Sequence, residues 1–399
     1  MTSSVENLLA RFDVSIDHRE LLRVMHEHFR TAAFEENGTI AFPAGPRTVL
    51  VVKAEQGVIR WIHRGSAFDA QSLQTVIETA QRRLVESPGR VVSRTILHSS
   101  RVIAGYWRSE HLRLQIFPAP PPAPQPPVIM ADHPFVLETE IMQGGDGFIT
   151  NQRLLRAGVE WGLVLNAILR VSVKVPDPRG RHLWIYDDAS GESRWLQAGY
   201  FVPGLDGLGA TFTAWFGNAI PQFNHDEYYE SWGPPLADRD LAPFPRSMDR
   251  LLSSFASLDA EHRDTYLRAA RWIRAASDVW ILNASSWFTA MVSAIETFVP
   301  RPTRRCPTCN SMIGITQNFR DFVEKHSPRS DHSMRQTIYS IRSGLSHGSF
   351  LLRIDATPWA FSATFDAEQR QAMDDLQRIV RDVMVNWLLD HESASGGGA

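Results

Sequence analysis

The chain has 399 residues, too many for one ordinary hydrophobic core, so two or three domains are expected. Its 43% hydrophobic and 21% charged residues exclude a disordered or fibrous chain, and a net charge of −3 excludes the global basic field of a general DNA binder. With only two cysteines, no leader-like N-terminus and no apolar run of roughly 18 residues, a cytoplasmic protein without a disulfide scaffold or membrane contact is expected.

In chain order, residues 1–35 predict two helices. Leu8, Leu9 and Phe12, then Leu21, Leu22, Met25 and Phe29, recur at three- and four-residue steps. Strand patterns follow at 48–53 and 58–63, with Glu55-Gln56-Gly57 as a hairpin turn. Asp69 is positioned to cap a helix reaching about residue 86, and further strands are expected at 90–97 and 111–117. Residues 1–117 therefore predict a small mixed α/β domain. Residues 118–127, Pro-Ala-Pro-Pro-Pro-Ala-Pro-Gln-Pro-Pro, cannot supply backbone donors to helix or sheet and predict an extended linker.

Residues 128–245 predict a second α/β region: a helix over 151–169, strands near 171–175 and 183–186, then an irregular stretch. His225-Asp226-Glu227 reads there as a proline-flanked loop, and 204–209 as a turn. From 246 to 391 the pattern turns helical, with segments at 251–258, 259–281, 285–298, 315–326, 332–346 and 366–391. Helices of this length joined by short connections predict a bundle with antiparallel neighbours. Residues 392–399 are a tail of disordered composition. The fold class is α+β multidomain: a mixed α/β N-terminal half followed by an all-α C-terminal bundle.

Charge is concentrated in the bundle. Between Arg301 and Arg342 lie eight Lys or Arg against three acids. Within that stretch, Cys306-Pro307-Thr308-Cys309 is followed by His326 and His332 in the spacing C-x2-C-x16-H-x5-H. These four are candidate ligands of a structural zinc, although the spacing is outside the usual finger ranges. The alternative is a pair of reduced cysteines at a helix entrance.

Arg342 and His347 are the strongest candidates for chemistry. Arginine grips phosphate oxygens with two parallel hydrogen bonds, and histidine exchanges protons near neutral pH. Residues five apart on a helix are about 140° apart around its axis, so spacing alone does not place them on one face. Gly348 predicts a helix end that turns His347 toward the long arm of Arg342.

The run Tyr339-Ser340-Ile341-Arg342-Ser343-Gly344-Leu345-Ser346-His347-Gly348 resembles the Arg-x4-6-His signature of HEPN domains. It is most similar to the Apea-like branch of prokaryotic antiviral defence, which reads Tyr-x-x-Arg-Ser-x-x-x-His-Gly. The upstream Ala294-Ile295-Glu296 is similar to the acidic helix of that family. The resemblance covers 246–391 and implies a HEPN helical bundle that cleaves RNA, tRNA among the candidates, by attack of the 2′-hydroxyl on its own phosphate. It implies catalytic roles for Arg342, His347, Ser343 and Glu296, and RNA contacts by Arg335, Tyr339, Arg304 and Arg305. It further implies no cofactor for catalysis and a homodimer through the HEPN domain. From the architecture, the long N-terminal half ahead of the bundle is expected to sense or regulate, with a phage-derived trigger. The alternatives are a non-catalytic module for dimerisation or for binding a nucleotide or partner, and the toxin of a toxin–antitoxin pair.

Overall fold

The computed structural model describes residues 17–29, 33–35, 39–43, 49–55, 58–64, 70–85, 89–119, 133–174, 182–187, 192–197, 207–215, 217–230, 241–280, 282–300, 314–356 and 367–395. The protein is mixed α/β, with antiparallel sheets and a helical C-terminal part. It forms two compact units. One takes Met1–Ser93, Glu140–Arg156 and Leu208–Thr211; the other takes Arg94–Thr139, Ala157–Gly207 and Phe212–Ala399.

In the first unit, α1 (His18–Phe29) starts where the Asp17 carboxylate accepts the backbone N–H groups of Arg19 (2.9 Å) and Glu20 (3.3 Å). Burial raises the Asp17 carboxyl, but the Arg156 guanidinium at 2.6 Å and these N–H groups outweigh it and hold it below the usual range. β1 (Ala33–Glu35), β2 (Thr39–Pro43), β3 (Val49–Glu55) and β4 (Val58–Arg64) form an antiparallel meander in sequence order. α2 (Ala70–Leu84) buries Val76, Ile77, Ala80 and Leu84, the three- and four-residue rhythm of one helix face. These pack with Leu21, Val24, Met25, Phe42, Val52 and Ile149 into one small core.

A six-stranded sheet has the order β12-β5-β8-β7-β6, with β9 beside β5. Its strands are β5 (Arg90–Ser99), β6 (Trp107–Ser109), β7 (Leu114–Pro118), β8 (His133–Met142), β9 (Val173–Lys174) and β12 (Gly207–Gly209). A two-stranded ribbon is formed by β10 (His182–Asp187) and β11 (Glu192–Gln197), and β13 (Gln222–Phe223) pairs in parallel with β14 (Phe244–Pro245). The Glu138 side chain is fully buried in β8, and it is saturated. Arg94 Nε, Gln115 Nε2 (2.6 Å), Thr213 N (2.9 Å) and Thr213 Oγ1 (2.6 Å) all donate to it.

The helices are α3 (Gly147–Ile168), α4 (His225–Glu230), α5 (Met248–Ser257), α6 (Ala260–Val279), α7 (Ala284–Glu296), α8 (Ile315–His326), α9 (His332–Ser346), α10 (Arg353–Ala356) and α11 (Ala367–Ser395). Leu97, Ile116 and Leu137 of the sheet join Leu163, Phe255, Tyr266, Phe288, Ile295, Ile379 and Leu388 of the helices in a single core. α6 packs along α7, and α11 crosses α5, α7, α8 and α9.

Several expectations need adjustment. Ala33–Glu35 is a strand, not the end of a helix, because it pairs with β2. β8 and β11 carried no readable strand pattern; in β8, Pro134, Glu138 and Glu140 interrupt the alternation. His225-Asp226-Glu227 opens the helix α4 instead of a loop. The unit divisions near 93, 139 and 156 differ from the expected boundaries at 117, 127 and 245, because sheet and helices share one core. The first expected helix and most of the proline-rich linker lie outside the described residues. Among the described residues, no helix is long and apolar enough to cross a membrane.

Candidate functional site

α9 carries the Arg342–His347 motif. Asp331 begins the helix by accepting the backbone N–H of Met334 at 2.7 Å. Ile338 is buried, and Met334, Tyr339, Ile341 and Leu345 pack against the core, so the helix docks on α7, α8 and α11. Its end is a left-handed glycine turn. Gly348 has φ +68°, its N–H donates to Leu345 O (3.1 Å), and the Ser349 N–H reaches back to Gly344 O (2.9 Å). This pair of bonds is the Schellman arrangement that satisfies the last carbonyls of a helix.

Arg342 projects to the C-terminal end of α7, where one Nη lies 3.0 Å from both oxygens of Glu296. Both side chains are about one-third exposed or less, 30% and 28%, so the pair is formed but open to a ligand. His347 is exposed, and its side chain makes no hydrogen bond or ion pair among the described residues. The expected swing of His347 onto Arg342 does not occur. With φ −89° and ψ 0° His347 stays near helical geometry, donating its N–H to Ser343 O (3.1 Å), and the reversal comes one residue later. Ser343 is half-buried and links the two through that carbonyl.

Glu296 also lines an open cleft of about 810 Å3 between α6 and α7. Arg268, Arg271 and Trp272 enter it from α6; Ser293, Glu296, Thr297 and Val299 come from the α7 side. Positions i, i+3 and i+4 share one helix face, which explains both sets. Trp272 is 45% exposed, and such a ring is a stacking surface for a base. These α6 residues were missed from sequence. The signal was Arg268-x-x-Arg271-Trp272, a cationic and aromatic stripe within a helix otherwise read as core.

The other candidates fall elsewhere. Arg335 was expected at RNA, but it is 6% exposed, donates to Ser330 O and pairs with Glu324 at 3.2 Å, so it braces the start of α9. Tyr339 lies half-buried with its ring 5.5 Å from Phe319. Of the zinc candidates, His326 is buried at 3% exposure. Its Nδ1 donates to Phe322 O (3.0 Å), and burial lowers its pKa. His332 is exposed at the first turn of α9. Arg304, Arg305, Cys306 and Cys309 lie outside the described residues. Among the described residues no group of three His, Cys, Asp or Glu is arranged to hold a metal. In comparison with known proteins, no family model, no curated protein and no solved structure matches this chain.

Proposed function

We propose that the helical C-terminal part is a HEPN-type, metal-independent endoribonuclease of antiphage defence, with the N-terminal half sensing or regulating. The observation that carries this reading is the Arg342–Glu296 pair at 3.0 Å, on the edge of an arginine- and tryptophan-lined cleft, with an exposed His347 at the end of the same helix.

The chemistry follows from the residues. The 2′-oxygen of RNA bonds to the adjacent phosphorus as the P–O5′ bond breaks, leaving a 2′,3′-cyclic phosphate and a free 5′-hydroxyl. His347 takes the proton from the attacking hydroxyl or returns one to the departing oxygen. Arg342 faces the negative charge that grows on the non-bridging oxygens. A single histidine serves one role at a time, so two copies meeting at their motifs supply both. Phe350, Leu351 and Ile354, exposed just beyond His347, are apolar surface of the kind a second copy covers. In the cleft, Trp272 stacks on a base while Arg268 and Arg271 hold phosphates.

A second reading has a specific observation behind it. Glu296 already neutralises Arg342, as it would in a non-catalytic module that binds a nucleotide or partner. Induced expression in bacteria of wild type and His347→Ala, followed by sequencing of RNA ends, separates the two. Discrete cyclic-phosphate ends in the wild type alone are expected, from tRNA or another transcript, both with and without phage. Identical RNA ends in both proteins under both conditions would sink the ribonuclease reading.

A further inference from the structure

Among the described residues one non-glycine residue has a positive φ, Arg113 at +51°. Such backbone is uncommon outside glycine and persists where its surroundings over-determine it, often at functional sites. Arg113 lies in the turn between β6 and β7, and the same turn carries His111. The Glu110 carboxylate of that turn is held by Arg108 (2.8 Å), with Arg113 at 3.8 Å.

His111 reaches α5 with both ring nitrogens. Its Nε2 lies 2.6 Å from Ser253 Oγ, and its Nδ1 lies 3.2 Å from Ser109 Oγ and 3.4 Å from Asp249 Oδ2. All four residues lie in the unit that takes Arg94–Thr139 and Phe212–Ala399. An ionised carboxylate can only accept, so Asp249 draws the imidazole proton to Nδ1 and leaves the Nε2 lone pair facing Ser253. The Ser253 hydroxyl has a second acceptor, the Asp249 carbonyl one turn back, and rotation about Cβ–Oγ swings its proton between the two. A nucleophile in reach of a base that a third group orients is the arrangement that activates serine. The Asp249 contact is long while the ring is neutral and tightens as the ring takes a proton.

We infer that Ser253, His111 and Asp249 form a catalytic site, separate from the α9 motif, that hydrolyses short carboxylic esters. Ser253 Oγ bonds to the carbonyl carbon as its proton passes to His111 Nε2. The bond to the alcohol oxygen then breaks, and Nε2 returns the proton to that oxygen. Water, losing its proton to Nε2, attacks the acyl-serine; the carboxylate leaves and Ser253 recovers the proton. Arg250, three residues before Ser253 and therefore on the same helix face, supplies positive charge toward the oxyanion. His111 and Asp249 are 56% and 49% exposed, so the site is wet. A wet site gives little help to a poor leaving group, which makes esters, not amides, its substrates. The site uses none of the α9 motif residues and stands whether or not the chain cuts RNA.

The test treats the full chain with 4-nitrophenyl acetate, and separately with a fluorophosphonate, and maps the modified residue by peptide mass spectrometry. Expected are a burst of nitrophenolate, an acetyl or phosphonyl group on Ser253, and neither in Ser253→Ala. Acylation in His111→Ala should slow about a hundredfold, as loss of a general base does. Ser257→Ala, which removes a serine of the same helix whose hydroxyl bonds Ser254 O, should react as wild type. Should Ser253→Ala melt early, His111→Gln makes the same test from the exposed side of the contact. An unmodified Ser253, modification of other residues alone, or equal rates in wild type and the His111 variants overturns the proposal.

Discussion

Arginines and histidines of this chain behave according to what faces them. Arg342 meets Glu296 and stays partly open, while Arg335 is closed into the fold. His326 shows how burial sets protonation. It is enclosed by α8 and α11, with Phe322 O, Lys325, Asp390 and His391 around it, and desolvation outweighs the attraction of Asp390, so its folded pKa falls below 6.5. The unfolded chain therefore binds a proton near pH 6.5 that the folded chain refuses. The stability this histidine contributes is full above that pH and is lost as pH falls through it. Urea unfolding at pH 7.5 and 5.5 should show a larger loss for wild type than for His326→Gln; equal losses would remove His326 as the cause.

At the scale of elements, helix ends position the candidate site. The Gly348 turn presents His347, and on the other side Asp355 accepts the N–H groups of Ala284 (2.9 Å) and Ser285 (2.6 Å), tying α10 to the start of α7. α7 ends at Glu296, so both flanks of the motif are anchored to one helix. A Cβ on Gly348 would meet nothing within 4 Å, so the cost of Gly348→Ala is the backbone alone. That left-handed conformation costs about 1–2 kcal/mol for an ordinary residue. A melting temperature lowered by several degrees in Gly348→Ala, and by less in Gly348→Asn, checks it. Equal melting of wild type and Gly348→Ala would show that the turn opens freely.

At the scale of the molecule, the second unit depends on continuity between sheet and helices. Glu138 receives four hydrogen bonds inside the sheet, one of them from Arg94. Glu138→Gln removes the charge that compensates Arg94 and turns one of its two acceptor oxygens into a donor facing donors. A loss of about 3–5 kcal/mol is expected for breaking a buried pair from one side. Chemical denaturation measures it, and a loss under 1 kcal/mol would show that water replaces the missing partner.

Much of the secondary structure was legible because local rules write it. Val76, Ile77, Ala80 and Leu84 give α2 its period, Asp259 and Asp331 cap α6 and α9, and Gly348 ends α9. Composition likewise anticipated that, among the described residues, no helix is long and apolar enough to cross a membrane. Other features depend on residues far apart in the chain. β8 is a strand because Glu138 finds Arg94, Gln115 and Thr213, and Arg335 is closed off because Ser330 and Glu324 surround it. Arg268, Arg271 and Trp272 become a cleft wall only where α7 leaves them uncovered. Helix periods and caps act over a few residues, so they can be read along the chain. Burial, charge compensation and the emptiness of a cleft are set by the partners that long-range packing brings together.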